Sequence, residues 1–285
     1  METKLDALVK KAVNGSSDAL ENIIKQIQDP IYALSLRMLF HPQDAQDATQ
    51  EILIKIITHL TGFRFEGPFL AWVMRIAANH LRTVRKKKNK RLQLTMKKAQ
   101  EVIDRAEAKG WFDTPMDAPQ AFVEAEMISA CTQALLQALN RAHRIVFILG
   151  TVIEVSSVEG AYILNISPEA FRKRLSRARN QIKDFLSLNC GLFDSANPCN
   201  CAGVFRGHVV QGWMNPEKPL FVSRTDHIDN PIRIRHYMKE LDELSKISLM
   251  FKSFPQKKSP VHVASMVKDF VQKKNYRILR DPQII

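Results

Sequence analysis

The chain has 285 residues, an ordinary apolar share and a formal net charge of +13, which bounds it to about two small domains plus an extension and suits a polyanionic partner: DNA, RNA or an anionic membrane face. No apolar run approaches the ~18 residues of a transmembrane helix, and the start METKLDALVKKAVNG has no signal-peptide core. The expectation is therefore a cytoplasmic protein without membrane insertion, in which the four cysteines do not form structural disulfides.

Residues 1–98 read as helices with few breakers. In the stretch 44–60, DAQDATQEILIKIITHL, Asp44 follows Pro42 and is placed to cap the helix start. Ala45, Ala48, Ile52 and Ile56 recur at helical spacing and are expected in the core. Asp47, Gln50, Glu51 and Ile54 fall on another face. An acidic stripe with one exposed isoleucine, in a basic protein, suits docking to a basic partner, and equally a solvated polar face. Further on, Phe63, Phe65 and Phe69 interleave with Gly67 and Pro68, and a helix begins near Phe69. Trp72, Val73, Ile76, Ala77 and Leu81 form its apolar face, with Arg75, Asn79 and Arg82 on a different one. Arg82, Arg85, Lys86, Lys87, Lys88, Lys90 and Arg91 then make a basic run that can neutralise phosphates. Exposed aromatics beside such a run can hold unstacked bases; the alternative is an aromatic core with a solvated basic tail.

The strings DAQDATQEILIKI and FRFEGPFLAWVMRIAANHLRTVRK resemble extracytoplasmic-function sigma factors in order, spacing and flanking helices. The resemblance implies that Asp44, Asp47, Gln50 and Glu51 bind the coiled-coil arm of the largest subunit of core RNA polymerase. It also implies that the loop Phe63–Phe69 captures a flipped base of the −10 promoter element, with Phe63, Arg64, Phe65, Phe69, Arg75, Asn79, Arg82, Arg85 and Lys86 as the DNA-facing set. The sequence departs from the family's loop at Phe65, Glu66, Gly67 and Pro68.

Residues 99–120 are charged and end in DTPMDAPQ, which marks a linker with one short helix at its start. Residues 121–188 are helical again. Ser156 or Ser157 is placed to cap a short helix over 158–164, Asn165 suits the left-handed turn after it, and Ser167 with Pro168 opens a second helix over 168–186. Short helix, tight turn and capped basic helix make a helix-turn-helix, whose second helix enters the major groove. Phe171, Leu175, Ala178, Ile182 and Phe185 are expected to be buried. Ser167, Glu169, Arg172, Lys173, Ser176 and Arg177 remain for base edges of the −35 element, and Arg174, Arg179 and Lys183 for phosphate or solvent. RLSRAR at 174–179 strengthens the resemblance, which covers about 24–188. Two residues depart from it: Asn140, where proline is common, and Gly160, which costs ~1 kcal/mol against alanine in a helix and predicts a weak or bent supporting helix.

The tail, 189–285, opens with Cys190, Cys199, Cys201 and His208 in the pattern C-x8-C-x-C-x6-H. Three readings stay open: a loop with incidental cysteines, a zinc site and a redox-sensitive thiol cluster; Cys131 reads as core. Short strands are expected at Gly203–Val210 and Leu220–Ser223, and helices around 233–251 and 261–275.

The expected fold is mainly α: a core-binding and −10 domain at 1–98, a linker at 99–120, a helix-turn-helix domain at 121–188, and an extension at 189–285 with irregular or short β structure that folds back on one module. The expected partners are core RNA polymerase, promoter DNA and an anti-sigma factor. The alternative is a helix-turn-helix regulator that does not bind polymerase. An enzyme is disfavoured by the lack of a phosphate-cradling glycine loop, of a nucleophile elbow, and of a His/Asp/Glu metal set in residues 1–188.

Overall fold

Helices account for most of the described backbone. The structure, a computed structural model, describes residues 4–84, 94–113, 120–222 and 241–252, together with Met238, Lys258, Ser259 and Ser265. In chain order the helices are α1 (Lys4–Val13), α2 (Ser17–Leu39), α3 (Pro42–Thr58), α4 (Phe69–Thr83), α5 (Met96–Ala108), α6 (Gln120–Ala138), α7 (Arg141–Phe147), α8 (Ser157–Leu164), α9 (Pro168–Asn189), α10 (Cys201–Val210) and α11 (Glu243–Lys252). A 3-10 turn, Leu60–Gly62, follows α3, and a π-helical turn, Ile148–Val152, follows α7. Side chains set the helix starts: the oxygens of Ser16, Thr95, Asn140, Ser156, Ser167 and Asn200 each accept from the backbone N–H three residues on. Asn140, which departs from the family pattern, thus does by hydrogen bonding what proline does by its fixed φ. Asp44 does not cap α3. The helix starts at Pro42, whose missing N–H is no loss there, and Asp44 lies in the first turn, where its charge suits the dipole.

The chain forms two compact units, one of residues 1–89, 155–171 and 256–285, the other of 90–154 and 172–255. In the first, α2 packs on α1, α3 and α4, and α4 packs on α8. Ile23, Ile27, Ile31, Leu34 and Met38 of α2 are buried, as are Ile52, Leu53 and Ile56 of α3 and Phe69, Val73, Ala77 and Leu81 of α4. Full burial of each large side chain contributes roughly 1.5–3 kcal/mol. Gly160 leaves α8 regular, contrary to expectation. A Cβ there would run into the ring of Phe171, so the missing side chain lets the two elements of the turn approach closely.

In the second unit α6 packs on α5, α10 and α11, and α11 also packs on the π-helical turn. Val123, Met127, Phe147, Phe205 and Phe251 are buried, with Phe147 and Phe251 in edge-to-face contact at 4.8 Å. Arg144 is buried after α6 and donates to the carbonyls of Leu136 (2.7 Å), Gln137 (2.9 Å) and Leu139 (3.0 Å). It thereby satisfies acceptors that a helix end leaves open. Burial holds its guanidinium down to about 10.

The expected strands are absent among the described residues. Residues 203–210 are helical within α10, because Asn200 caps that helix and because Gly203 and Gly207, one turn apart, leave room for Phe112 and Trp111. The N–H groups of Leu220, Phe221 and Val222 find no neighbouring strand. They donate to the buried Glu126 carboxylate at 2.7, 3.1 and 2.8 Å, while Ser223 lies outside the described residues. The single β pairing described is an isolated bridge between Cys190 and Cys199. The linker's helix is α5, and residues 114–119 lie outside the described set, as do most of 223–240 and nearly all of 253–285. The helix expected around 233–251 is described only as α11, and the one at 261–275 falls almost wholly outside. Among the described residues no helix is long and apolar enough to cross a membrane.

Candidate nucleic-acid and partner interface

Helix α3 turns Ala45, Ala48, Ile52 and Ile56 into the core, as their spacing predicts, and leaves Asp44, Asp47 and Gln50 half-buried and Glu51 exposed. Gln43 reaches Asp47 at 3.5 Å. Glu51 lies 3.4 Å from Nε2 of His80, a buried residue whose Nδ1 is 2.8 Å from the Lys55 ammonium. Burial and Lys55 push the His80 pKa below its ordinary value, and Glu51 opposes them.

The loop before α4 separates its three phenylalanines. Phe63 and Phe69 are buried, and the Phe63 ring lies 4.7 Å from Phe65, 5.2 Å from Phe69 and 5.6 Å from Trp72. Phe65 is 42% exposed and holds a φ of 56°, uncommon for a bulky residue and sustained here by ring contacts and by Lys10, 5.4 Å from its centroid. Arg64, Glu66, Gly67 and Pro68 are exposed around it. Of the aromatics expected to face DNA, Phe65 alone stands out of the core; the other two shape the loop beneath it. On α4, Asn79 is exposed, the Arg75 guanidinium lies 5.0 Å from the Tyr162 ring centroid, and Arg82 donates to the Leu164 carbonyl at 3.4 Å. Both arginines thus contact α8. Arg85 and Lys86, with the basic run as far as Arg91, lie outside the described residues.

The turn after α8 forms as its residues predict: Ser156 caps α8, Asn165 is left-handed at φ 53°, and Ser167 caps α9. Ser167, Glu169, Arg172, Lys173, Ser176 and Arg177 are all exposed, and the last five share one helical face. Phe171, Ala178 and Ile182 are buried, whereas Leu175 and Phe185 are only half-buried and Leu186 is buried instead. Arg179 is turned to the protein, contrary to expectation, while Lys183 stays partly exposed in a surface ion pair. Arg179 donates to the Gly150 carbonyl and Thr151 Oγ1 (3.0 and 3.1 Å), and Lys183 pairs with Glu243 at 2.7 Å. Both acceptors that hold Arg179 lie in the π-helical turn, a feature with no signature in the sequence.

His208 stands beside the Trp213 ring at 5.4 Å. Cys131 on α6 and Cys190, Cys199 and Cys201 after α9 are each half-buried, and none is in a disulfide. Burial, and then the neighbouring thiols, raise the pKa values of Cys131 and Cys201; burial and Cys190 raise that of Cys199 to about 12. Among the described residues no three His, Cys, Asp or Glu side chains stand at metal-ligand spacing. Cys131, which helical spacing assigns to the core, is half-buried on α6.

The family description Sigma-70 region 2 matches residues 23–91, from within α2 past the end of α4. The chain is 28% identical over 185 residues to the ECF RNA polymerase sigma factor SigW of Bacillus subtilis (strain 168), covering 64% of this chain and 97% of that protein. It is 27% identical over 168 residues to the ECF RNA polymerase sigma factor SigE of Mycolicibacterium smegmatis, covering 59% and 61%. The solved structure of CnrH in complex with the cytosolic domain of CnrY aligns with a TM-score of 0.46 at 19% identity, over 64% of this chain and 96% of that one.

Proposed function

We propose how this chain, which belongs to the extracytoplasmic-function RNA polymerase sigma factors, divides the work of directing core polymerase to promoters. Residues 1–98 hold core polymerase and the −10 element, 99–120 connect, and 121–188 read the −35 element. The α3 face of Asp44, Asp47, Gln50 and Glu51 docks on a basic surface of the polymerase, where the opposite charge of the two surfaces steers encounter. Phe65, standing out of its loop, stacks on an unpaired base of the melted −10 strand. Arg75, Asn79 and Arg82 serve the same strand, which requires α8 to give up its contacts with the two arginines. On α9, Arg172 or Lys173 takes guanine O6 and N7 in the major groove, with Ser167, Glu169, Ser176 and Arg177 around it. The factor supplies position and strand separation, contributes no catalytic group to RNA synthesis, and works in the cytoplasm. A protein that masks these faces, an anti-sigma factor, is the expected regulator.

The observation that carries this reading is the match of residues 23–91 to Sigma-70 region 2, which spans both the acidic α3 face and the Phe65 loop. A helix-turn-helix regulator acting without polymerase has no use for either. Binding of the purified chain to core polymerase, followed at increasing salt, tests the docking face. The charge-reversed pair Asp47→Lys and Glu51→Lys is expected to lose binding while keeping its helical circular dichroism. Undiminished binding by that variant would remove α3 from the interface.

A further inference from the structure

Helix α11 belongs to the extension, yet it touches the turn and the helix that carry promoter reading. Asp242 sets its start, the carboxylate accepting from the N–H groups of Leu244 and Ser245 at 2.9 and 3.0 Å. Ile247, Met250 and Phe251 then recur at helical spacing and are buried. The helix packs on α6 and on the π-helical turn. Phe251 meets Phe147 edge to face at 4.8 Å. Ser248 donates to the Thr151 carbonyl at 3.3 Å, and the hydroxyl of the same Thr151 accepts from Arg179 of α9 at 3.1 Å. Lys252 pairs with Glu154, which ends that turn with a φ of 63°, uncommon outside glycine. Glu243 pairs with Lys183 of α9 at 2.7 Å, and Lys246 donates to the Phe193 carbonyl, just past the end of α9, at 3.1 Å.

These contacts hold the second half of α9. Arg172, Ser176, Arg179 and Lys183 recur at helical spacing and share one stripe of it. Arg172 and Ser176 are exposed, whereas Arg179 is engaged by the π-helical turn and Lys183 by α11. Two contacts on one stripe, one of them to the turn that α11 itself supports, oppose rotation of α9 about its axis. A bidentate contact with guanine O6 and N7 requires that rotation to be fixed. We propose that α11 is a positioning element for −35 reading. Glu243, Ser248 and Phe251 act through Lys183, Thr151 and Phe147 to set the angle at which α9 presents Arg172 and Lys173. This role rests on the assignment of α9 to the −35 element, and it gives the extension a part in specificity. The Lys183–Glu243 pair is partly exposed and worth little alone, so the buried Phe251 ring is the main hold.

Holoenzyme reconstituted from the full-length chain and core polymerase tests this by competition between a promoter fragment that it transcribes and the same fragment scrambled at its −35 sequence. The wild type is expected to prefer the intact fragment. In Phe251→Ala that preference is expected to fall about fivefold or more, with binding to the scrambled fragment unchanged. Should Phe251→Ala fail to fold, Glu243→Lys serves in its place. It is expected to lower the preference, and the further change Lys183→Glu, which restores the pair with its charges exchanged, is expected to recover it. The role is overturned by a preference that keeps its wild-type value in Phe251→Ala while the melting temperature falls. It is equally overturned by a loss in Glu243→Lys that Lys183→Glu does not recover, or by tighter binding of Phe251→Ala to both fragments, which marks α11 as a mask. A wild-type holoenzyme indifferent to the −35 sequence removes the reading of α9 itself, and this role with it.

Discussion

Helix α9 and the loop before α4 both carry side chains that the sequence assigns to DNA, and they treat them differently. At the start of α9 all six residues assigned to base edges, Ser167, Glu169, Arg172, Lys173, Ser176 and Arg177, are exposed. In the loop Phe63 and Phe69 are buried and Phe65 alone projects. A capped helix has a fixed period, so its spacing and its buried positions determine what faces outward. A loop has no period, and which aromatic is exposed depends on the ring cluster with Trp72 that forms only in the fold.

The largest expected effect sharpens that contrast. Phe63→Ala empties a buried ring site and is expected to cost about 3–5 kcal/mol of stability, whereas Phe65→Ala is expected to stay within about 0.5 kcal/mol and instead to reduce strand opening, read by permanganate reactivity of promoter thymines. Equal thermal shifts in the two variants would break the distinction between a supporting and a presented aromatic. Next comes Arg144→Met, which leaves several buried carbonyls without a donor and is expected to cost on the order of 2–4 kcal/mol in urea denaturation. On α9, Arg172→Ala or Lys173→Ala is expected to lose about 1–3 kcal/mol of discrimination between promoter and mutated −35 sequence, with the melting temperature unmoved. A loss uniform over all DNA sequences would make that residue a phosphate contact.

The smallest effect concerns His80. Its folded pKa lies below its unfolded value, because burial and the Lys55 ammonium disfavour the imidazolium. The unfolded state therefore binds the proton more readily, and the stability that rests on neutral His80 is present above the unfolded histidine value of about 6.5 and lost as pH falls through the folded one. Thermal melts from neutral to mildly acid pH are expected to show a decline that His80→Gln makes shallower. An unchanged slope would place the acid sensitivity elsewhere.

Much of the architecture was legible because it is local. Ser156, Asn165 and Ser167 set the helix-turn-helix through bonds within one turn of chain, and the buried face of α3 follows from spacing alone. What was not legible depends on distant partners. Arg179 reads as a solvent or phosphate contact until Gly150 and Thr151 are brought to it. Gly160 reads as a weak point until the Phe171 ring is seen in the space a side chain would fill. Residues 203–210, with their valines and glycines, suit a strand by composition, and the Asn200 cap with Trp111 and Phe112 makes them a helix.

Run-off transcription with purified core polymerase on a library of promoter fragments tests the central claim most directly. Transcripts dependent on the added chain, starting at fragments that share a −10 and a −35 sequence and lost on Phe65→Ala, are the expected result. Binding of the chain to the same fragments without any chain-dependent start site would contradict it.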